Sequence, residues 1–216
     1  MTMGDGGVYF SGNNCRFVMN MLEKNSDYVQ WVSDVCSEIT EAPIRLVNDE
    51  RQGRKPLLNI TTKTNPLFTT LRHRIYTAHY KGIDPHALKL LDWEALAILY
   101  MCDGSLYIEQ PNEKKQLKNP SYNVTLNLKR LSYGDQLLLK KALKDSLDLE
   151  WNIIRHYNYY FLRLRCKDVA RFMEYVSPYV LPSFQYKLLS RTGSSTIVDD
   201  DIVCASKEFE EISRDD

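Results

Sequence analysis

The chain has 216 residues, 44% hydrophobic and 26% charged, with 28 basic and 28 acidic side chains and a formal net charge of zero. That is enough chain for one large or two small domains with a genuine core, and the composition is that of a soluble globular protein. The longest apolar run is too short to span a bilayer and no leader pattern opens the chain, so an intracellular, non-secreted protein without a membrane partner is expected.

Zero net charge argues at first against nucleic acid, but it hides an asymmetry. From Ser190 onward three bases (Arg191, Lys207, Arg214) stand against eight acids, so positions 1–189 are net basic and the tail is acidic. That permits a nucleic-acid partner without demonstrating one. Five scattered cysteines without C-x-x-C spacing read as reduced thiols, and His73, His79, His86 and His156 show no ligand spacing with them, so zinc is not expected.

Taken in order, residues 8–10 read as a short strand and Asn13-Asn14 as a turn. Residues 15–22 alternate, with Cys15, Phe17, Met19 and Met21 on one face and Arg16 and Asn20 on the other. Ser26 is the expected N-cap of a helix through Tyr28, Val29, Val32, Cys36 and Ile39. Strands are expected at 44–48 and 57–62, and Pro66 opens a helix through Leu67, Leu71 and Ile75. The connector His79-Tyr-Lys-Gly-Ile-Asp-Pro85 leads to the segment Trp93–Ser105.

From Ala95 to Cys102 that segment is unbroken apolar, so it is expected to be a helix at the centre of the protein. It stops at Asp103-Gly104. The pair has two readings: a C-cap and turn, or an acid placed at the buried end of a central helix to hold a cation.

The second half repeats the order. A strand at 105–109 is followed by a polar insertion at 111–120 carrying Lys114, Lys115 and Lys118. Residues 122–129 alternate, with Val124, Leu126 and Leu128 opposite Asn123, Thr125, Asn127 and Lys129. Gly134-Asp135 precedes a helix through Leu138, Ala142 and Leu147. A hairpin at 151–156 and 159–165 puts Arg163 and Arg165 on one face and Leu162 and Leu164 on the other. Asp168 caps a last helix through Phe172 and Val176, and the tail from Ser190 is expected to be disordered. Both halves thus read as helix end, two strands, helix, two strands, helix, with Asp5-Gly6 and Asp103-Gly104 in equivalent places. This internal duplication favours the cation-holding reading of Asp103.

Leu96-Ala-Ile-Leu-Tyr-Met-Cys-Asp-Gly104 resembles the nine-residue motif of the LAGLIDADG homing endonucleases, and Met3-Gly-Asp-Gly6 resembles the end of a first copy. Lys81-Gly-Ile-Asp-Pro85 and Pro182-Ser-Phe-Gln-Tyr-Lys187 resemble the lysine-bearing blocks that close each repeat. The resemblance implies an α+β fold, a pseudo-two-fold duplicated αββαββα chain whose two antiparallel sheets form a DNA-binding saddle. Its repeats would be 1–92, with most of the N-terminal helix missing, and 93–189, followed by the tail 190–216.

The implied function is site-specific cleavage of double-stranded DNA by a monomer. Asp5 and Asp103 would be the catalytic metal ligands for Mg²⁺ or Mn²⁺, with Lys81 and Lys187 near the scissile phosphates. The DNA-contacting residues would be Arg16, Asn20, Asn123, Thr125, Asn127, Lys129, Arg163 and Arg165 on the strands and Lys114 and Lys115 in the insertion. A second reading is a non-cleaving relative, an intron-RNA maturase or a DNA-binding regulator. Because so few residues precede Asp5, Leu96, Leu99 and Tyr100 are expected to be exposed for want of a partner helix. Lower stability than a chain extended by about three helical turns is also expected.

Overall fold

The computed structural model describes residues 6–47, 55–77, 80–111 and 120–188. Strands β1 (Gly7–Ser11) and β2 (Asn14–Leu22) form a hairpin. They close through the two-residue turn Gly12-Asn13, where Gly12 takes a φ of +65° that side chains avoid. Helix α1 (Ser26–Ser37) follows, then β3 (Ile44–Val47), β4 (Leu57–Thr61) and α2 (Pro66–Ile75). A two-stranded ribbon, β5 (Tyr76–Thr77) with β6 (Tyr80–Lys81), and the short helix α3 (Pro85–Leu88) lead to the central helix α4 (Trp93–Asp103). The second half runs β7 (Gly104–Glu109), β8 (Ser121–Leu126), α5 (Tyr133–Leu147), β9 (Trp151–His156), β10 (Tyr159–Leu164) and α6 (Val169–Val176).

The duplication is visible in the sheets. One four-stranded antiparallel sheet has the order β1-β2-β4-β3 and the other β7-β8-β10-β9, the same path drawn twice. The fold is α+β. On β2 the expected alternation holds: Cys15, Phe17, Met19 and Met21 are buried, while Arg16 and Asn20 are exposed. On the second sheet Val124, Leu126, Leu162 and Leu164 are buried against the helices.

Helix α4 starts where Asp92 accepts from the Ala95 N–H at 2.8 Å. Leu96, Leu99, Tyr100 and Met101 are at most 2% exposed, which corrects the expectation that the first three would lie open. Elements distant in sequence cover them: α4 packs on α6, the 3-10 turn Ser177–Tyr179 and β8. Tyr100 meets the Phe172 ring edge-on at 5.0 Å. Burying side chains of this size contributes about 1.5–3 kcal/mol each. Ala95, Ile98 and Cys102 form a half-buried stripe on the same helix.

Several boundaries differ from expectation. Asn25, not Ser26, is the N-cap of α1, and the helix ends before Ile39, which is 39% exposed. Ser132 caps α5, so Gly134 and Asp135 fall inside its first turn. Asp168 precedes α6 but makes no cap bond; its carboxylate accepts the Glu150 N–H at 2.9 Å. The strand expected at 122–129 ends at Leu126, so Asn127 and Lys129 lie beyond it. Among the described residues, Cys15, Cys36, Cys102 and Cys166 form no disulfide, and no helix is long and apolar enough to cross a membrane.

Candidate active site and nucleic-acid interface

The apolar run of α4 ends at Asp103, whose side chain is half-buried at the helix exit. Gly104 follows with ordinary extended dihedrals, so its glycine is not there for backbone freedom. A Cβ at that point would overlap the Tyr100 ring and stand 2.5 Å from the Tyr100 carbonyl. Gly6, at the matching place in the first half, is confined in the same way by the Phe17 ring. The acid therefore sits where the chain leaves the core under tight packing. Its backbone is pinned as well, because the Asn127 N–H donates to the Asp103 carbonyl at 2.8 Å. The Asn127 side chain donates to Ser105 Oγ at 3.3 Å, and Ser105 and Thr125 hydroxyls pair at 2.8 Å.

Lys187 comes to the same helix end from the 3-10 turn Pro182–Lys187. Its ammonium donates to the carbonyls of Met101 (2.6 Å), Gly104 (2.8 Å) and Tyr100 (3.3 Å). A cation at a helix C-terminus meets the negative end of the macrodipole and satisfies carbonyls the helix leaves open. In return the Tyr100 hydroxyl donates to the Lys187 carbonyl at 2.6 Å. Burial pushes the Tyr100 phenol far above its ordinary value, with the Tyr186 hydroxyl adding to it, so it stays neutral and a donor.

The first half repeats this relation. Lys81, on β6, donates to the Gly6 carbonyl at 2.8 Å. Each lysine thus reaches the peptide that directly follows an expected catalytic acid. Asp103, Lys81 and Lys187 are placed at the two motif ends; Asp5 lies outside the described residues. Among the described residues no group of three or more His, Cys, Asp or Glu side chains forms a metal cluster.

The polar faces of the sheets carry most of the expected contact residues. Pairing of Tyr9 with Arg16, and of Asn20 through Asn59 with Arg45, puts all five on one face of the first sheet. Asn59 donates to Asn20 at 2.9 Å and accepts from Thr61 at 2.9 Å. Arg16 and Arg45 also line a groove of about 370 Å³ with Lys63. On the second sheet Arg163 stands between Thr125 and Asn152, with Asn123 beside Tyr107. Arg45, Asn59, Thr61, Ser105, Tyr107 and Asn152 were missed by sequence reading, and the strand register is the signal that finds them.

Two expected residues sit differently. Arg165 lies one residue past β10 and pairs with Glu150 at 2.7 Å, in a cluster with Lys144 and Lys167. Lys129 lies over the Tyr159 ring at 4.5 Å. Lys114 and Lys115 lie outside the described residues.

The LAGLIDADG DNA endonuclease family profile matches residues 1–172. The chain belongs to this family. A probable intron-encoded endonuclease of Wickerhamomyces canadensis is 24% identical over 87% of the chain and 80% of its own length. A protein named RecA from Mycolicibacterium chitae is 28% identical over 90% of the chain. The chain spans only 46% of that protein, about half the length of the first curated relatives it matches. The homing endonuclease I-WcaI, solved bound to its DNA recognition sequence, superposes with a TM-score of 0.69 at 23% identity, over 87% of this chain and 81% of that one. The likeness identifies the LAGLIDADG fold. It accounts for the repeated sheet order.

Proposed function

We propose that this LAGLIDADG protein is a site-specific double-strand DNA endonuclease, with repeats 1–92 and 93–189 supplying one catalytic half each. The observation that carries the reading is the repeated motif end: Lys187 on the Gly104 carbonyl and Lys81 on the Gly6 carbonyl, each beside an aspartate position. A scaffold with no chemistry to perform has no use for a lysine set against the residue after an aspartate in both repeats. The family and its DNA-bound relative support DNA as the partner.

The donor chemistry fits a hard divalent cation. Mg²⁺ keeps several waters and takes one or two carboxylates together with substrate phosphate, so Asp103 and its counterpart Asp5 suffice without a cage of ligands. Bound there, Mg²⁺ or Mn²⁺ would lower the pKa of a water and neutralise charge at the phosphate. The chain's own contribution is to hold the Asp103 backbone through the Asn127 N–H and to set two lysine charges on the Gly104 and Gly6 carbonyls. The polar sheet faces would bind the duplex on either side of the cut.

The test is cleavage of a plasmid library of randomised duplex inserts, with and without Mg²⁺. Linear product that requires Mg²⁺ and disappears in Asp103→Asn is expected. Binding without cleavage in the wild type would instead assign the chain to the non-cleaving relatives, RNA maturases or DNA-binding regulators.

A further inference from the structure

The lysine-bearing segments are held by the opposite repeat as well as by their own. Asp135, in the first turn of α5, accepts the Ile83 N–H at 3.3 Å, two residues after Lys81. Its other oxygen accepts from its own helix cap, the Ser132 hydroxyl, at 2.7 Å. Gly82 lies against the same carboxylate, where a Cβ would stand 3.6 Å from it. In the other direction Asp27, in the first turn of α1, accepts the Ser183 N–H at 2.9 Å, four residues before Lys187. Its other oxygen accepts from its own helix, at the Tyr28 N–H, at 2.8 Å.

Helices α1 and α5 occupy the same place in the two halves, each between the second and third strands of its sheet. The arrangement is therefore reciprocal. Each carboxylate gives one oxygen to its own helix and the other to the lysine segment of the opposite half. Ring packing reinforces one side, with Phe184 edge-on to Tyr28 at 5.6 Å. Two surface acids used only for helix capping would have no reason to bridge the halves in both directions.

We infer that Asp27 and Asp135 are positioning residues, each setting the lysine of the other half against its motif end. The inference rests on the endonuclease reading above. Its consequence is specific: losing one carboxylate disturbs one active half and leaves the other intact. A general loss of stability would slow both strands alike.

The experiment uses the full chain and a supercoiled plasmid carrying a site recovered from the randomised library, each strand labelled separately. Asp135→Ala and Asp27→Ala are each expected to slow one strand by about ten- to a hundredfold, on opposite strands, so that nicked circles accumulate. Asp135→Asn and Asp27→Asn keep an acceptor and should recover most of the rate, with KM for the site unchanged throughout. Equal slowing of both strands, or slowing of neither in folded protein, overturns the inference while leaving the endonuclease reading standing. If the wild type cuts no library member, that reading fails and the catalytic half of the inference falls with it. Hydrogen exchange then decides the docking half: faster exchange of residues 80–84 in Asp135→Ala and of 182–187 in Asp27→Ala supports it, and unchanged exchange overturns it.

Discussion

The backbone N–H of Asn127 donates to the carbonyl of Asp103 at 2.8 Å, so the residue that follows β8 fixes the acid's backbone at the helix exit. The link is made by backbone, which yields a contrast between two substitutions. Asn127→Ala removes only the side-chain bond to Ser105 and should cost well under about 1 kcal/mol. Asn127→Pro removes the N–H and leaves the carbonyl unmet, so a loss of about 1–3 kcal/mol is expected. Urea unfolding of both variants checks this, and equal midpoints would show that the bond holds nothing.

Lys187 gathers three carbonyls at the end of α4, and removing it takes a donor from each, though Tyr100 keeps the Gly104 N–H. Lys187→Met keeps most of the aliphatic stem but should destabilise the chain by about 1–3 kcal/mol. Tyr100→Phe, which loses the bond to the Lys187 carbonyl, should cost about 1 kcal/mol. The two sites are in contact, so a double-mutant cycle should return a coupling above about 0.5 kcal/mol. Strict additivity would mean the lysine and the tyrosine act separately.

The motif glycines should differ in tolerance. At Gly104 an added Cβ meets backbone as well as the Tyr100 ring, and backbone cannot swing away. At Gly6 it meets only the Phe17 ring among its nearest neighbours. Gly104→Ala is therefore expected to lose about 1–3 kcal/mol or more, and Gly6→Ala less. Thermal melting of the pair, with the order reversed, would contradict the packing argument.

Much of this was legible in the chain. Strand alternation at Phe17, Met19 and Met21 gave the buried face of β2, and the repeated order of strands and helices foretold two sheets of one path. What was not legible came from contacts between distant residues. Leu96 and Tyr100 were expected to be exposed because local sequence does not show the α6 and 177–188 segments that pack on α4. Asp27 reads as an ordinary first-turn acid; its partner Ser183 is 156 residues away. Arg165 was placed with the strand face, but Glu150, brought opposite by the hairpin, takes its charge. Alternation gives the face of a side chain and says nothing about which charge stands opposite.

Acid should release the Asp27 contact. Burial works to raise this carboxyl, but hydrogen bonds from Ser183 and the Tyr28 backbone outweigh it and hold the group below its ordinary value of 3.8. A carboxyl depressed on folding contributes stability that is fully present above the unfolded value and is lost as pH falls through the folded one. The stability gap between wild type and Asp27→Asn should thus be constant from neutral pH down to about pH 5 and shrink below about pH 4. Urea titrations across that range provide the check, and a gap that widens in acid would reverse the assigned sign.

Arg163 and Lys129 should separate base reading from phosphate contact. Arg163 is flanked in mid-sheet by Thr125 and Asn152, whereas Lys129 lies past the end of β8 over the Tyr159 ring. A guanidinium held between neighbours on a polar face is suited to a base edge, and a cation at the rim to a phosphate. Arg163→Ala is expected to weaken the recovered site by about 1–3 kcal/mol and to broaden the sequences accepted there. Lys129→Ala should weaken all duplexes alike and lower the slope of log affinity against log salt by about 1. Fluorescence anisotropy with matched and scrambled duplexes over a salt series measures both quantities. If Arg163→Ala changes only the salt slope and leaves the preference intact, this face of the second sheet holds the backbone and sequence is read elsewhere.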